Sequence, residues 1–291
     1  MSGGKLFALA AISLLLFGCL QFESSVKVNA SLPEGVNVTL PAISAGQNHT
    51  ANETNATIAA LPDSLKICFY GDRAANGTDY EAVIADNLTV FRLGQNNTIG
   101  LAPVWLDSAS GPGDFSGCAV IVLKDDAKGK VCDAVQRTAV RERIITGNSG
   151  LIAIKTACTA ANDDPAVFGW DYKLAEAIPA KMDVPGRDPE AIGTYEIAFS
   201  YFDIKSDDPA LAGMKNFNIS NVEGVKVTPA NAGYPSAYFR TDPTKLTQPA
   251  PYAIIQMSTG ANYAYYFSYD PLRTPSIFRR VVELLAEKYV G

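Results

Sequence analysis

Three short polar clusters each stand directly behind an apolar run: Asp72 with Arg73, Lys124 with Asp125 and Asp126, and Lys155 with Thr156. A lysine held between carboxylates can act as a general base when burial lowers its pKa. The same residues in contact with water form a mixed-charge rim, which binds a polar ligand or simply faces solvent. The single histidine, His49, lies in a segment with no sustained periodicity. A catalytic imidazole has to be held by a rigid element, so Ser-His-Asp and Cys-His arrangements are excluded for the folded part. No Gly-rich phosphate loop follows any of the apolar runs, and no recognisable loop gathers oxygen donors, so neither a cofactor nor a metal is expected. Asp163-Asp164-Pro165 and Asp207-Asp208-Pro209 carry calcium-type ligands, but proline directly behind each acid pair reads as a helix start with the second aspartate as N-cap.

The elements that position these clusters follow from the apolar spacing. Leu65 to Tyr70 reads as a first strand, and Asp79 to Leu93 as a helix capped by Thr78. Ile99 to Leu106 reads as a second strand, and Ser108 to Asp114 as a loop. Cys118 to Leu123 is a β-branched run that fits a strand buried on both faces, Val131 to Ile145 has helical spacing, and Leu151 to Ile154 makes the next strand. Strand, helix and strand over this length form a right-handed βαβ unit. A helix from Pro165 to Ile178 follows. The character then changes, with strand-like runs at Tyr195 to Ile204, Val225 to Thr228, Ala237 to Arg240, Tyr252 to Met257 and Tyr263 to Tyr269. Thr259 and Gly260 suit a hairpin turn. Tyr263, Tyr265, Phe267 and Tyr269 alternate onto one face, which packs against a helix or stacks on sugar rings. Thr274 and Pro275 open a closing helix.

The N-terminal segment points outward from the cell. Leu6 to Phe17 is an apolar run too short for a comfortable membrane span, and Leu16-Phe17-Gly18-Cys19 resembles a lipobox. Residues 1–18 therefore read as a signal peptide and Cys19 as a lipidated N-terminus, with an uncleaved anchor as the alternative. Residues 19–61 form an Asn/Thr/Ser-rich linker, and 62–291 the folded domain. Asn29, Asn37, Asn48, Asn52 and Asn55 begin glycosylation sequons in the linker, and Asn76, Asn96 and Asn218 begin others in the domain. Asn87 begins one more, inside the expected helix, where it is usable only on an exposed face. At 291 residues, 47% hydrophobic and a formal net charge of -6, the chain has a substantial core and no bias toward nucleic acid.

From Leu65 to Val290 the chain resembles the class I glutamine amidotransferase-like fold, and within it the ThuA-like (trehalose-utilisation protein) branch. The resemblance rests on the strand at Cys118 to Leu123, the helix leading to Gly150-Leu151-Ile152-Ala153-Ile154, the run Asp208 to Gly213, and Tyr265-Tyr266-Phe267 ahead of the closing helix. It implies an α/β fold: a flavodoxin-like, mostly parallel sheet flanked by helices, with added antiparallel strands in the C-terminal half. The family's nucleophilic Cys stands on a tight Gly-x-Cys-x-Gly elbow after the fourth strand, and ThuA-like proteins place a His there. Here that position is Lys155, the glycines are missing, and Cys158 follows three residues later. The four cysteines of the domain allow three connectivities. The 2-1-3-4 strand order that the resemblance implies favours Cys68 with Cys118 and Cys132 with Cys158, which would leave Cys158 unable to act as a nucleophile.

The functional expectation is a membrane-tethered extracellular lipoprotein that binds a glycan, another ligand or a protein partner at the Asp72, Arg73, Lys124, Asp125, Asp126, Lys155 and Thr156 rim, without catalysis. A carbohydrate-active enzyme using that rim and an envelope scaffold or accessory subunit are the alternatives. Oligomeric state is not encoded in any pattern of the chain.

Overall fold

The structure, a computed structural model, describes residues 61–84, 87–92, 95–107, 110–125, 134–146, 148–158, 174, 176–182, 193–205, 207–242, 244–245, 248–259 and 262–290. The linker and its sequons, Cys19, His49, Asp126, Cys132 and the Asp163-Asp164-Pro165 helix start lie outside these residues. No helix among the described residues is long and apolar enough to cross a membrane.

Strands β1 (Ser64–Tyr70), β3 (Gln95–Leu106), β4 (Cys118–Leu123), β5 (Gly150–Ile154) and β12 (Asn262–Phe267) form the parallel centre of a ten-stranded sheet. Its order, β3-β1-β4-β5 on this side, is the one expected from the sequence. β2 (Leu88–Arg92) adds antiparallel to β3 at one edge. On the other side β11 (Tyr252–Thr259), β10 (Tyr234–Arg240), β7 (Thr194–Ile204) and β8 (Phe217–Val225) follow β12 in antiparallel pairs. β6 (Ala180–Met182) and β9 (Val227–Pro229) pair separately.

Every residue of β4 and β5 is buried, because helices cover both faces. The strand period of two sorts the side chains. Ile67, Phe69, Val120, Val122, Ile152 and Phe267 point toward Tyr80 and Ile84 of α1 (Gly77–Ile84) and toward Phe278, Val281 and Leu285 of α3 (Pro275–Val290). Tyr70, Ile121, Leu123, Leu151 and Ala153 point the other way, toward Val140 and Ile144 of α2 (Ala134–Ile145). The aromatic stripe belongs to this core: Tyr265, Phe267 and Tyr269 are fully buried, and Phe267 stands 6.1 Å from Phe278, so these three rings are closed to sugars.

Four expectations are corrected. The helix expected over Asp79 to Leu93 ends at Ile84, and residues 88–92 are β2. Leu88 and Phe91 keep helical spacing, but Thr89, Val90 and Phe91 are β-formers, and pairing with the long β3 satisfies their backbone groups. Asn87 is therefore exposed ahead of a strand rather than within a helix. The expected loop at Ser108 to Asp114 contains the start of a 3-10 turn, Pro112–Phe115. The expected strand Val225 to Thr228 is the end of β8 followed by β9. Asp207-Asp208-Pro209 starts a turn rather than a helix, and Gly213 at φ +79 closes it.

Asp208 does more than cap that turn. It is fully buried, and one oxygen accepts from Ala210 N (2.8 Å), Leu211 N (3.3 Å) and the Tyr265 hydroxyl (3.0 Å) while the other accepts from the Ser236 hydroxyl. Burial raises its pKa, and the four donors only partly offset this.

β8 does not present an open edge along its whole length. Val225 N donates to Ser268 O at 2.8 Å, and Gly224 bridges Tyr269, so the antiparallel strands curl back onto the chain leaving β12. A Cβ on Gly224 would lie 2.1 Å from the Tyr195 hydroxyl and 2.6 Å from Ser268 O, which is why this contact needs glycine.

Candidate functional site

β1, β4 and β5 run parallel, so the segments leaving them meet at one end of the sheet, where open α/β sheets bind ligands. There Asn76, Tyr80, Lys124, Asp125, Lys155 and Asp270 border a cleft of about 240 Å³ with Ile154 at its base.

Lys155 is the first residue after β5 and sits at φ +48. A side chain with a Cβ in this left-handed region costs about 1–3 kcal/mol, and such strain gathers at functional positions. Its neighbours fix the turn: Lys155 N donates to Phe267 O at 2.7 Å, and the Tyr266 hydroxyl donates to Lys155 O at 3.1 Å. The ammonium lies 3.1 Å from Asp125 Oδ2. Asp125 Oδ1 accepts from both Thr156 N (3.0 Å) and the Thr156 hydroxyl (2.6 Å). Burial pushes the Asp125 pKa up, but the Thr156 hydroxyl, the Lys155 charge and Thr156 N together outweigh it and hold the carboxyl below its ordinary value. The cleft thus contains a fixed ion pair, with Asp125 committed on both oxygens.

The other expected rim residues have different roles. Lys124 borders the cleft but is 4% exposed, and its ammonium donates to Asp72 O (2.5 Å) and Ala75 O (2.6 Å). It also lies 4.9 Å from the Trp105 ring centroid and 5.6 Å from that of Tyr80, so it fastens the β1–α1 loop over the sheet. Thr156 is buried and turned onto Asp125. Asp72 is exposed and shapes its own turn by accepting from Ala74 N at 2.8 Å. Arg73 is drawn off to Glu81 at 2.8 Å, a carboxylate that also accepts from the Trp105 indole at 2.7 Å. Of the rim residues named by sequence reasoning, Lys124, Asp125, Lys155 and Thr156 come together in the structure, whereas Asp72 and Arg73 stand outside the cleft lining.

Sequence reasoning also misses three cleft residues. Tyr80 reads as helix core, and nothing in its spacing shows that its hydroxyl donates to Asp270 Oδ1 at 3.0 Å. Asp270-Pro271 carries the same Asp-Pro signal as the other caps, and Asp270 Oδ1 indeed accepts from Leu272 N at 3.0 Å. Its other oxygen has no partner among the described residues. Asn76, at φ +61, is exposed on the rim.

Two cysteine expectations meet the structure. Cys68 and Cys118 are joined, with Cα atoms 5.7 Å apart on neighbouring strands. Cys158 is buried and disulfide-bonded, so it is no free thiol, and its partner lies outside the described residues. Among the described residues no group of three or more His, Cys, Asp or Glu side chains could hold a metal.

The ion pair predicts a pH dependence. Because the folded state holds Asp125 below its ordinary pKa of 3.8, the folded protein binds fewer protons than the unfolded chain as pH falls through that region. The stabilisation by Asp125 is present above pH 3.8 and is lost as pH drops through the folded pKa. Asp208, with a raised pKa, acts in the opposite sense above 3.8. The gap in denaturant midpoint between the wild type and Asp125→Asn should therefore narrow on acidification below pH 3.8, since subtraction removes the Asp208 contribution common to both. A gap independent of pH would mean the pair does not form.

No family model matches the chain, and no curated protein matches it. Solved structures do resemble it. A ThuA-like protein from Parabacteroides merdae superposes with a TM-score of 0.50 at 11% identity, covering 77% of this chain and 90% of that one. A ThuA-like protein from Bacteroides uniformis gives 0.49 at 11% identity, over 77% and 93% of the two chains. A cytoplasmic protein from Salmonella typhimurium gives 0.46 at 10% identity, over 76% and 99%. At these identities the likeness concerns the fold, which is amidotransferase-like.

Proposed function

We propose that this is an exported protein, tethered to the outer face of a membrane through Cys19 or through Leu6 to Phe17, whose ThuA-like domain binds a small polar ligand in the cleft without covalent catalysis. Residues 19–61 serve as a glycosylated spacer. The observation that carries the reading is Lys155: on a left-handed backbone at the sheet end where the amidotransferase-like fold places its reactive residue, its ammonium is paired with Asp125. An ammonium engaged by a carboxylate is a poor nucleophile but a good hydrogen-bond donor, and Lys155 lies 3.1 Å from Asp125 Oδ2. Across the same cleft, one Asp270 oxygen can accept from a hydroxyl or amine. The domain has no histidine, and Cys158 is oxidised, so neither supplies a nucleophile.

The test is a thermal-shift screen of residues 58–291 against sugars, nucleotides, amino acids and small acids, followed by Lys155→Gly. A ligand present at 100 times its Kd stabilises the native state by about 2.7 kcal/mol. Glycine relieves the left-handed backbone, which offsets the loss of the Asp125 ion pair, so the variant should keep a cooperative melting transition while losing the ligand-induced shift. A shift that survives Lys155→Gly would place the ligand elsewhere. Turnover of the ligand would make the protein an enzyme.

A further inference from the structure

Asn76 belongs to two features at once. It opens the sequon Asn76-Gly77-Thr78, and it lines the same cleft as Lys155 and Asp125. The backbone around it is fixed: Asn76 O accepts from Asp79 N and Tyr80 N, each at 3.2 Å, and Lys124 holds the preceding Ala75 carbonyl at 2.6 Å. Its own carboxamide is exposed and makes no hydrogen bond among the described residues. Asn87, Asn96 and Asn218, the other sequon asparagines of the domain, are also exposed, but none borders the cleft.

We propose that N-glycosylation of Asn76 covers the cleft, so that the state of this one side chain decides whether the site is open. In the modification the Asn76 amide nitrogen bonds to the anomeric carbon of a glycosyl donor activated as a lipid-linked phosphate ester. The bond from that carbon to the phosphate oxygen breaks, its electron pair leaves with the phosphate, and one amide proton passes to a base of the transferase. The attached sugar is anchored at the rim and sits over Lys155, whose side chain is 24% exposed when Asn76 is bare. The left-handed backbone of Asn76 and the Lys124 contacts leave the loop little freedom to carry the sugar aside. The consequence for binding rests on the reading of the cleft as the ligand site, while the covering itself does not.

The experiment uses the full chain isolated from the cells that make it, alongside Thr78→Ala, which removes the sequon and leaves Asn76 in place, and Asn218→Gln, which removes a sequon on β8. Peptide mapping by mass spectrometry gives occupancy at Asn76. A brief pulse of an acetylating N-hydroxysuccinimide ester reads the accessibility of Lys155, with Lys245, 56% exposed between β10 and β11, as internal standard. The expected result is a glycan on Asn76 and several-fold slower acetylation of Lys155 in the wild type and Asn218→Gln than in Thr78→Ala. An unmodified Asn76, or equal Lys155 reactivity with and without the glycan, overturns the proposal. Failure to find any ligand by thermal shift would remove the binding reading and leave protection of Lys155 standing.

Discussion

Replacing Arg240 with leucine should destabilise the domain by about 3–5 kcal/mol, the cost of leaving one partner of a buried ion pair without the other. Arg240 is 6% exposed, and its Nε donates to Asp203 Oδ2 at 2.6 Å. The guanidinium also donates to Gln248 O at 3.3 Å and lies 4.8 Å from the Tyr238 ring centroid. Leucine restores apolar volume but none of these interactions, and Asp203, 8% exposed, would lose its nearest cationic partner at a site that water reaches poorly. Lys205 at 3.6 Å and the Asn216 amide at 3.3 Å remain as weaker partners, which puts the expected loss at the lower end of the range. Denaturant unfolding of Arg240→Leu, Asp203→Asn and the double variant tests the argument. The double variant should lose less than the sum of the singles, because removing both charges leaves neither unpaired. Strict additivity would mean that the two side chains do not depend on each other.

The parts of the fold that were legible in the sequence are those where one physical signal dominates. Cys118 to Leu123 and Gly150 to Ile154 read as doubly buried strands because no polar residue interrupts them, and the structure buries every one. Their ends then located Asp125 and Lys155, since a strand buried on both faces delivers its next polar residue to the end of the sheet. The failures have equally specific causes. β8 has an irregular mixture of exposed and buried residues, with Asn221 at φ +53 breaking the alternation, so no period of two marks it. β2 was hidden inside a helical spacing that α1 uses for only two turns. Lys124 looked like a solvated rim charge because local sequence carries no sign of the two loop carbonyls and two aromatic rings that meet it. Tyr80 and Asp270 come from elements far apart in the chain, and only the packing of α1 beside α3 brings that hydroxyl to that carboxylate.

Removing the Cys68–Cys118 disulfide should be the other large perturbation, with a loss of about 4 kcal/mol for a loop of this length on the chain-entropy account. The bond closes a sequence separation of 50 that contains α1, β2 and β3. Both cysteines are fully buried, so the variant to make is Cys68→Ala with Cys118→Ala, since serine would add the separate cost of a buried hydroxyl. The native state should change little, because β1 and β4 remain paired from Ile67 to Tyr70 and the same helices cover them. The loss arises mainly in the unfolded chain, which gains the freedom that the cross-link removed. The denaturant midpoint should therefore fall while the m-value rises, reflecting a more expanded denatured state. An unchanged midpoint would mean that the unfolded chain is already compact over this loop. The cleft supplies a second readout. Lys124 still ties the Asp72 and Ala75 carbonyls to the end of β4, so any ligand that shifts the melting temperature of the wild type should bind the alanine pair with the same Kd. Loss of binding alongside loss of stability would instead show that the disulfide, and not Lys124, sets the position of the β1–α1 loop.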